Sequence, residues 1–247
     1  MDTNICKSAK IYQVSTLQAL ALGYSRAVVN VEELMKHGDT GLGTFEDVNG
    51  EMIVLDGHCY KADENGVVCE ADVNTGVPFS TVTFFKECRH CELEMTDSIE
   101  KLKQFLDLRI EEDFGINCMH IVRIDGHFKR ICARSETGYR AHHVTLKDAL
   151  SVTQRDFYFD DIRGTLVCVY YPDYMDGINA SGWHLHFISE DRKSGGHVFD
   201  VSMYSGTAFF DKITEIEIKL PSEPVFDTYS LKSASKDEIR RVEQGNE

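Results

Sequence analysis

Apolar and polar residues alternate along most of this chain with the two-residue period of β-strands, and a helical period is confined to a few stretches. The longest helical pattern covers residues 97–112, where an apolar stripe lies opposite a charged side. The stripe consists of Ile99, Leu102, Phe105, Leu106 and Ile110. Shorter helices are predicted over 15–25, 30–38, 145–152 and 235–245.

Two hairpins are predicted in the first third of the chain, at the turns that end in Asn49-Gly50 and Asn65-Gly66. The strand-like runs beside these turns are 41–45 with 51–55 and 59–62 with 67–70. Residues 118–124 and 127–134 are predicted to form two strands joined by a turn at Asp125-Gly126. Further strands are predicted over 77–85, 164–171 and 215–220.

This pattern predicts an α+β fold, in which two β-rich lobes of mixed or antiparallel sheet carry a few helices. We place the boundary between the lobes just after the helix over 97–112. The N-terminal lobe then covers residues 1–115, and the C-terminal lobe covers residues 116–247. The alternative is that the two lobes form a single structural unit.

Composition limits the partners that the protein can bind. The 247 residues are 42% hydrophobic with a net charge of −15, so the chain can bury a core but repels nucleic acid and anionic membranes. The eight cysteines are scattered and no secretory signal begins the chain, which favours a reduced, cytoplasmic protein. Cys88-Arg89-His90-Cys91 has no second cysteine pair at the spacing of a zinc site, so we do not expect it to be functional.

Three histidines in the C-terminal lobe have the spacing of a metal site. His184 and His186 are two residues apart on a predicted strand, so their side chains share one face. The other face of that strand is apolar and consists of Trp183, Leu185 and Phe187. His197 begins the next predicted strand, and pairing of the two strands would bring all three imidazoles together. Three protein ligands and one open position are typical of catalytic zinc.

Longer stretches around these residues resemble the α-acetolactate decarboxylase family. The matching runs are LMKHGDTGLGTF at 34–45, GEMIVLDG at 50–57, DGINASGWHLHF at 176–187 and DRKSGGHV at 191–198. The resemblance extends from about residue 11 to the C-terminus. It implies a dimeric enzyme with a two-lobed, β-rich fold that converts 2-acetolactate (2-hydroxy-2-methyl-3-oxobutanoate) to acetoin and CO2. It also implies that His184, His186 and His197 bind a zinc ion.

The same resemblance implies four further residues of the active site. The matching positions are Thr44, Glu51, Arg134 and Glu243. After Arg134-Ser135 the chain departs from the proline-containing segment that is usual in the family, so Arg140 is the alternative to Arg134. A neighbouring C-terminal glutamate is the alternative to Glu243.

These residue types suit a decarboxylation. The ketone and hydroxyl oxygens of acetolactate can chelate one metal ion, which stabilises the enediolate that forms when CO2 leaves. A carboxylic acid with a raised pKa can protonate the enediolate, and a guanidinium can hold the substrate carboxylate by two hydrogen bonds. Two alternatives stay open at this point. One is a different three-histidine zinc lyase or hydratase that acts on a small oxo or hydroxy acid, and the other is a non-catalytic domain that binds a metal or small ligand.

Overall fold

Short strands dominate the first half of the chain in the computed structural model, which describes residues 9–140 and 143–231. They are β1 (Ala9–Val14), β2 (Val29–Asn30), β3 (Thr40–Thr44), β4 (Glu51–Leu55), β5 (His58–Ala62), β6 (Val68–Glu70), β7 (Gly76–Val77), β8 (Phe79–Thr83) and β9 (Arg89–Leu93). The strands that follow are longer, and they are β10 (Met119–Glu136), β11 (Gln154–Tyr171), β12 (Gly182–Ser189) and β13 (Gly195–Lys219). The α-helices are α1 (Leu17–Ala21), α2 (Val31–Leu34), α3 (Ile99–Asp113) and α4 (Leu146–Thr153). Short 3-10 helices cover Glu46–Val48, Asp173–Met175 and Pro224–Thr228.

Eleven of these strands form one sheet that runs through both halves of the chain. Ten follow the order β10-β11-β12-β13-β1-β8-β3-β4-β5-β6, and β9 pairs with β13 beside this path. β1 links the halves, because it pairs in parallel with β13 and antiparallel with β8. The two predicted hairpins are confirmed as β3–β4 and β5–β6. The predicted α+β class is therefore confirmed, whereas the division into lobes at residues 115 and 116 stays a prediction.

Each α-helix begins at a polar side chain that caps it. The capping residues are Thr16, Asn30, Ser98 and Thr145. In each case a side-chain oxygen accepts a hydrogen bond from the backbone N–H of the third residue further on, which satisfies a donor that the first turn leaves free. The helices predicted near 15–25, 30–38, 97–112 and 145–152 are confirmed, although the first two are shorter than predicted. The helix predicted over 235–245 lies outside the described residues.

The turn predicted at Asp125-Gly126 is wrong, because β10 runs through these residues without a break. β10 is paired on both sides, and Gly126 faces Gly164 of β11 and Gly206 of β13. The Asp125 carboxylate accepts a hydrogen bond from the Thr165 hydroxyl at 2.6 Å, whereas a turn aspartate bonds to its own backbone. Pairing with two neighbouring strands therefore overrides the local turn signal.

The apolar stripe of α3 packs on the part of the sheet that carries the histidines. Leu102, Leu106 and Ile110 are fully buried in a cluster with the apolar residues of β10 to β13. A second cluster, which includes Tyr12 and Met52, fills the N-terminal half. The face of β12 opposite the histidines is thus packed against a continuous apolar core. No helix within residues 9–140 or 143–231 has the length and apolar character needed to cross a membrane.

Candidate active site

The three predicted metal ligands come together where β12 meets β13. His184 and His186 lie on β12, and His186 is the register partner of His197 on β13. The Nε2 atom of His184 lies 3.1 Å from Nε2 of His186 and 3.0 Å from Nδ1 of His197. All three side chains are buried. Among residues 9–140 and 143–231, this is the one group of histidine, cysteine or acidic side chains found with the geometry of a metal site.

The spacing and the protonation of these imidazoles suit a zinc ion. Tetrahedral zinc with Zn–N bonds of about 2.0–2.1 Å holds its ligand nitrogens roughly 3.3 Å apart, close to the separations observed. Burial lowers the pKa of His184 to about 3, and the Arg134 guanidinium contributes in the same direction. Burial also lowers the pKa of His186 well below its ordinary value. These two rings are therefore neutral near pH 7, and a neutral ring offers the lone pair that a metal ion needs.

Contacts on both faces of β12 fix the orientation of the histidine strand. The Nδ1 atom of His186 is placed to donate a hydrogen bond to the Met52 carbonyl oxygen on β4, at 2.8 Å, which leaves its Nε2 atom facing the other imidazoles. On the opposite face, the Trp183 indole N–H donates to the Asp107 carboxylate of α3 at 2.7 Å. The neighbouring apolar side chains of β12 are buried in the core. The alternation predicted for this strand is confirmed.

A cavity of about 40 Å³ lies beside the histidines, and its polar lining contains most of the predicted site residues. That lining consists of Thr44, Glu51, Arg134, Glu136, His184 and His197. Thr44 and Glu51 are register partners in the β3–β4 hairpin, and Glu51 Oε2 lies 3.3 Å from Nε2 of His186. The Thr44 hydroxyl donates a hydrogen bond to the Gly50 carbonyl oxygen at 3.0 Å, so it fixes the backbone just before Glu51.

Comparison with known proteins agrees with this geometry. A family model described as alpha-acetolactate decarboxylase matches residues 11–233. The chain belongs to the alpha-acetolactate decarboxylase family. The alpha-acetolactate decarboxylase of Methanosarcina mazei is 37% identical over 95% of this chain and 80% of its own length. That of Bacillus subtilis (strain 168) is 34% identical over 88% of this chain and 84% of its own length.

A solved structure gives the same result for the fold. The crystal structure of alpha-acetolactate decarboxylase from Bacillus subtilis strain 168 superposes with a TM-score of 0.90 at 31% identity. The match covers 96% of this chain and 100% of that chain. The expected enzyme class, a decarboxylase of the carboxy-lyase type, is thus confirmed, and the three-histidine cluster of this family member is compatible with a metal site.

The two candidate arginines of this acetolactate decarboxylase family member have different surroundings. Arg134 is 7% exposed and lines the cavity, with an Nη2 atom 3.3 Å from Nε2 of His197. The side chain of Arg140 is 72% exposed, and its Nε donates to the Asp47 carboxylate at 3.0 Å. Arg140 is not part of the cavity lining. The fourth predicted residue, Glu243, lies outside the described residues.

Glu136 lines the cavity of the decarboxylase fold although nothing in its sequence context singled it out. It is 2% exposed and lies two residues after Arg134 on β10, so strand alternation turns both side chains to the same face. The two-residue spacing from Arg134 was the signal that could have placed Glu136 in the site.

The cysteines near β9 belong to no metal cluster within the described part of the chain. Cys91 is a free thiol and is partly buried on this strand.

Proposed function

We propose that this protein converts 2-acetolactate to acetoin and CO2 at a zinc ion held by His184, His186 and His197. The observation that carries the proposal is the convergence of three buried imidazoles beside a cavity that also contains a carboxyl group and a guanidinium. Nitrogen ligands and a tetrahedral spacing favour zinc over magnesium or calcium, which prefer oxygen ligands. When bound, zinc supplies positive charge that stabilises the negative charge developing on the substrate oxygens.

Arg134 has the position of a substrate anchor. The reaction breaks the bond between C2 and the carboxylate, and the electron pair stays on C2 and spreads to the adjacent ketone oxygen. The substrate carboxylate must therefore be held in a defined direction until it leaves as CO2. A buried guanidinium holds a carboxylate by two parallel hydrogen bonds, and Arg134 is buried in the cavity wall.

Glu51 is the proposed proton donor. After CO2 has left, one proton must be added to C2 on a single face of the planar product of that step. Glu51 reaches the cavity from the start of β4, and its carboxylate is close to His186. Thr44 supports this position, because its hydroxyl is bonded to the carbonyl of Gly50, the residue before Glu51. Glu243 is proposed as a second acidic residue of the site on the strength of the family resemblance.

A cytoplasmic homodimer is the proposed form of the protein in the cell. The family resemblance supports the dimer. The net charge of −15 supports a protein that binds neither nucleic acid nor anionic membranes. Light scattering coupled to size-exclusion chromatography measures the mass directly. A dimer has twice the chain mass of 28.0 kDa, and elution at the chain mass itself would exclude the dimer.

The proposed reaction is tested by incubating the purified protein with acetolactate and measuring acetoin. We expect acetoin to form in proportion to the amount of protein. Zinc binding without acetoin formation would instead support a binding domain. Turnover of another small oxo or hydroxy acid, with acetolactate untouched, would support a different zinc lyase or hydratase. His186→Ala removes one ligand and leaves the apolar face of β12 intact. It is the control that shows whether acetoin forms at this site.

A further inference from the structure

The cavity beside the histidines has an apolar half that is built by elements distant from them in sequence. Its residues are Leu20 of α1, Val48, Phe79 of β8, and Leu146 and Leu150 of α4. These five side chains also pack with one another, together with Leu17 and Ala180, in a single apolar cluster. The apolar half is therefore a packed wall that α1 and α4 form together.

We infer that Leu150 limits the size of the alkyl group that the substrate carries at C2, an inference that rests on the proposed function. Acetolactate has all its oxygen atoms on the carboxylate, the hydroxyl and the ketone, which are the groups that Arg134 and a metal ion can hold. Its methyl groups then pack against the apolar half of the cavity, because burial against apolar side chains removes them from water. The wall on that side therefore faces the part of the substrate that differs between alkyl homologues.

The close packing of the wall makes it selective. The wall residues line the cavity and also pack against one another, and packed protein interiors accept added methylene groups only by shifting side chains from their preferred positions. A longer alkyl group at C2 therefore comes into contact with the wall. Shortening a wall residue creates the space that the longer group needs.

Leu150 is the wall residue that can be changed with the least damage to the fold. Leu146, one helical turn earlier, is 5% exposed, whereas Leu150 is only partly buried. The start of α4 is fixed independently of Leu150, because Thr145 Oγ1 accepts the Asp148 N–H at 3.2 Å. Val152 lies on the same helix with 71% exposure and is absent from the cavity lining, so it provides a matched control.

The test compares kcat/KM for acetolactate with kcat/KM for its 2-ethyl and 2-propyl homologues. We expect Leu150→Ala to raise the propyl-to-methyl ratio of kcat/KM roughly tenfold or more, since a methylene in an apolar pocket changes discrimination by about 10–200-fold. Leu150→Phe should lower the same ratio below the wild-type value. Val152→Ala should leave it unchanged.

Leu150→Val is a milder variant that keeps the measurement possible if the alanine variant does not fold, and circular dichroism reports the folding of each. The inference is overturned if the propyl-to-methyl ratio of kcat/KM stays within twofold of the wild-type value both in a folded shortened variant (alanine or valine) and in the phenylalanine variant. That result would leave the proposed function untouched. Failure of the wild-type protein to form acetoin from acetolactate would overturn the proposed function, and this inference with it.

Discussion

Arg134 and His197 are partners in the register of β10 and β13, and Nη2 of Arg134 lies 3.3 Å from Nε2 of His197. The pairing of two strands thus sets the distance between a buried guanidinium and one of the proposed zinc ligands. In the proposed function, a substrate whose carboxylate is bound by Arg134 directs its remaining oxygen atoms towards the histidines. This distance is the reason for proposing Arg134 as the substrate anchor.

Replacement of Arg134 by lysine should therefore impair the reaction although it keeps the charge. Lysine offers a single ammonium group in place of the planar pair of donors that holds a carboxylate at two points. We expect Arg134→Lys to cost about 2.7–4 kcal/mol in kcat/KM, the range found for removal of one preorganised donor to developing charge. Steady-state kinetics with acetolactate gives the value.

Arg140→Lys is the matched control for this change. Arg140 is mostly exposed and paired with Asp47, and exposed ion pairs contribute little. Its lysine variant should have nearly wild-type kcat/KM. A large loss in Arg140→Lys with little change in Arg134→Lys would reverse the assignment of the substrate anchor.

Glu51→Gln should slow the reaction without emptying the metal site. Glutamine keeps the size of the side chain and loses the transferable proton, and a positioned general acid is worth roughly 10²–10⁴-fold in kcat. We also expect acetoin from this variant to lose chiral purity, because water can protonate either face of the intermediate. Chiral chromatography of the product measures this. Wild-type rate and chirality in Glu51→Gln would show that another group delivers the proton.

A buried carboxyl far from the histidines should give the stability of the protein a separate pH dependence. Asp211 is fully buried, and burial raises its pKa to about 7, although it accepts the Lys86 backbone N–H at 2.9 Å. The protonated form is thus favoured in the folded state. Its stabilising contribution is complete below the unfolded pKa of about 3.9 and is lost as the pH rises through about 7.

Asp211→Asn should remove that loss, because asparagine accepts the same hydrogen bond without becoming charged. Between pH 5 and pH 8, we expect the free energy of unfolding of the wild type to fall by about 1–3 kcal/mol more than that of the variant. Urea denaturation at the two pH values provides the comparison. Asp160→Asn, at an exposed aspartate paired with Arg130, should show no such difference. Parallel pH profiles for the wild type and Asp211→Asn would contradict the expectation.

The histidine site could be predicted because its geometry is local. Two residues on one strand share a face whatever the rest of the fold does, so the spacing of His184 and His186 carried structural information. The short glycine-containing stretch before His197 then limited the distance between the third imidazole and the first two. The helix caps were predictable for the same reason, since a cap involves residues only three apart.

The rest of the cavity depends on pairings between distant parts of the chain. Arg134 and His197 are 63 residues apart, and their contact follows from the register of two long strands. Periodicity cannot reveal such a register, and for the same reason the doubly paired Asp125-Gly126 looked like a turn. The apolar wall that includes Leu150 depends on the packing of two helices, for which the sequence carries no local signal.

Zinc titration of metal-free protein, with acetoin formation from acetolactate as the readout, tests the central claim most directly. We expect the metal-stripped protein to be inactive, and its activity to rise linearly with added zinc and level off at one zinc ion per chain. His186→Ala should remain inactive over the same range, because it lacks one of the three ligands. Full activity in the stripped protein, or no acetoin at any zinc concentration, would contradict a three-histidine zinc decarboxylase.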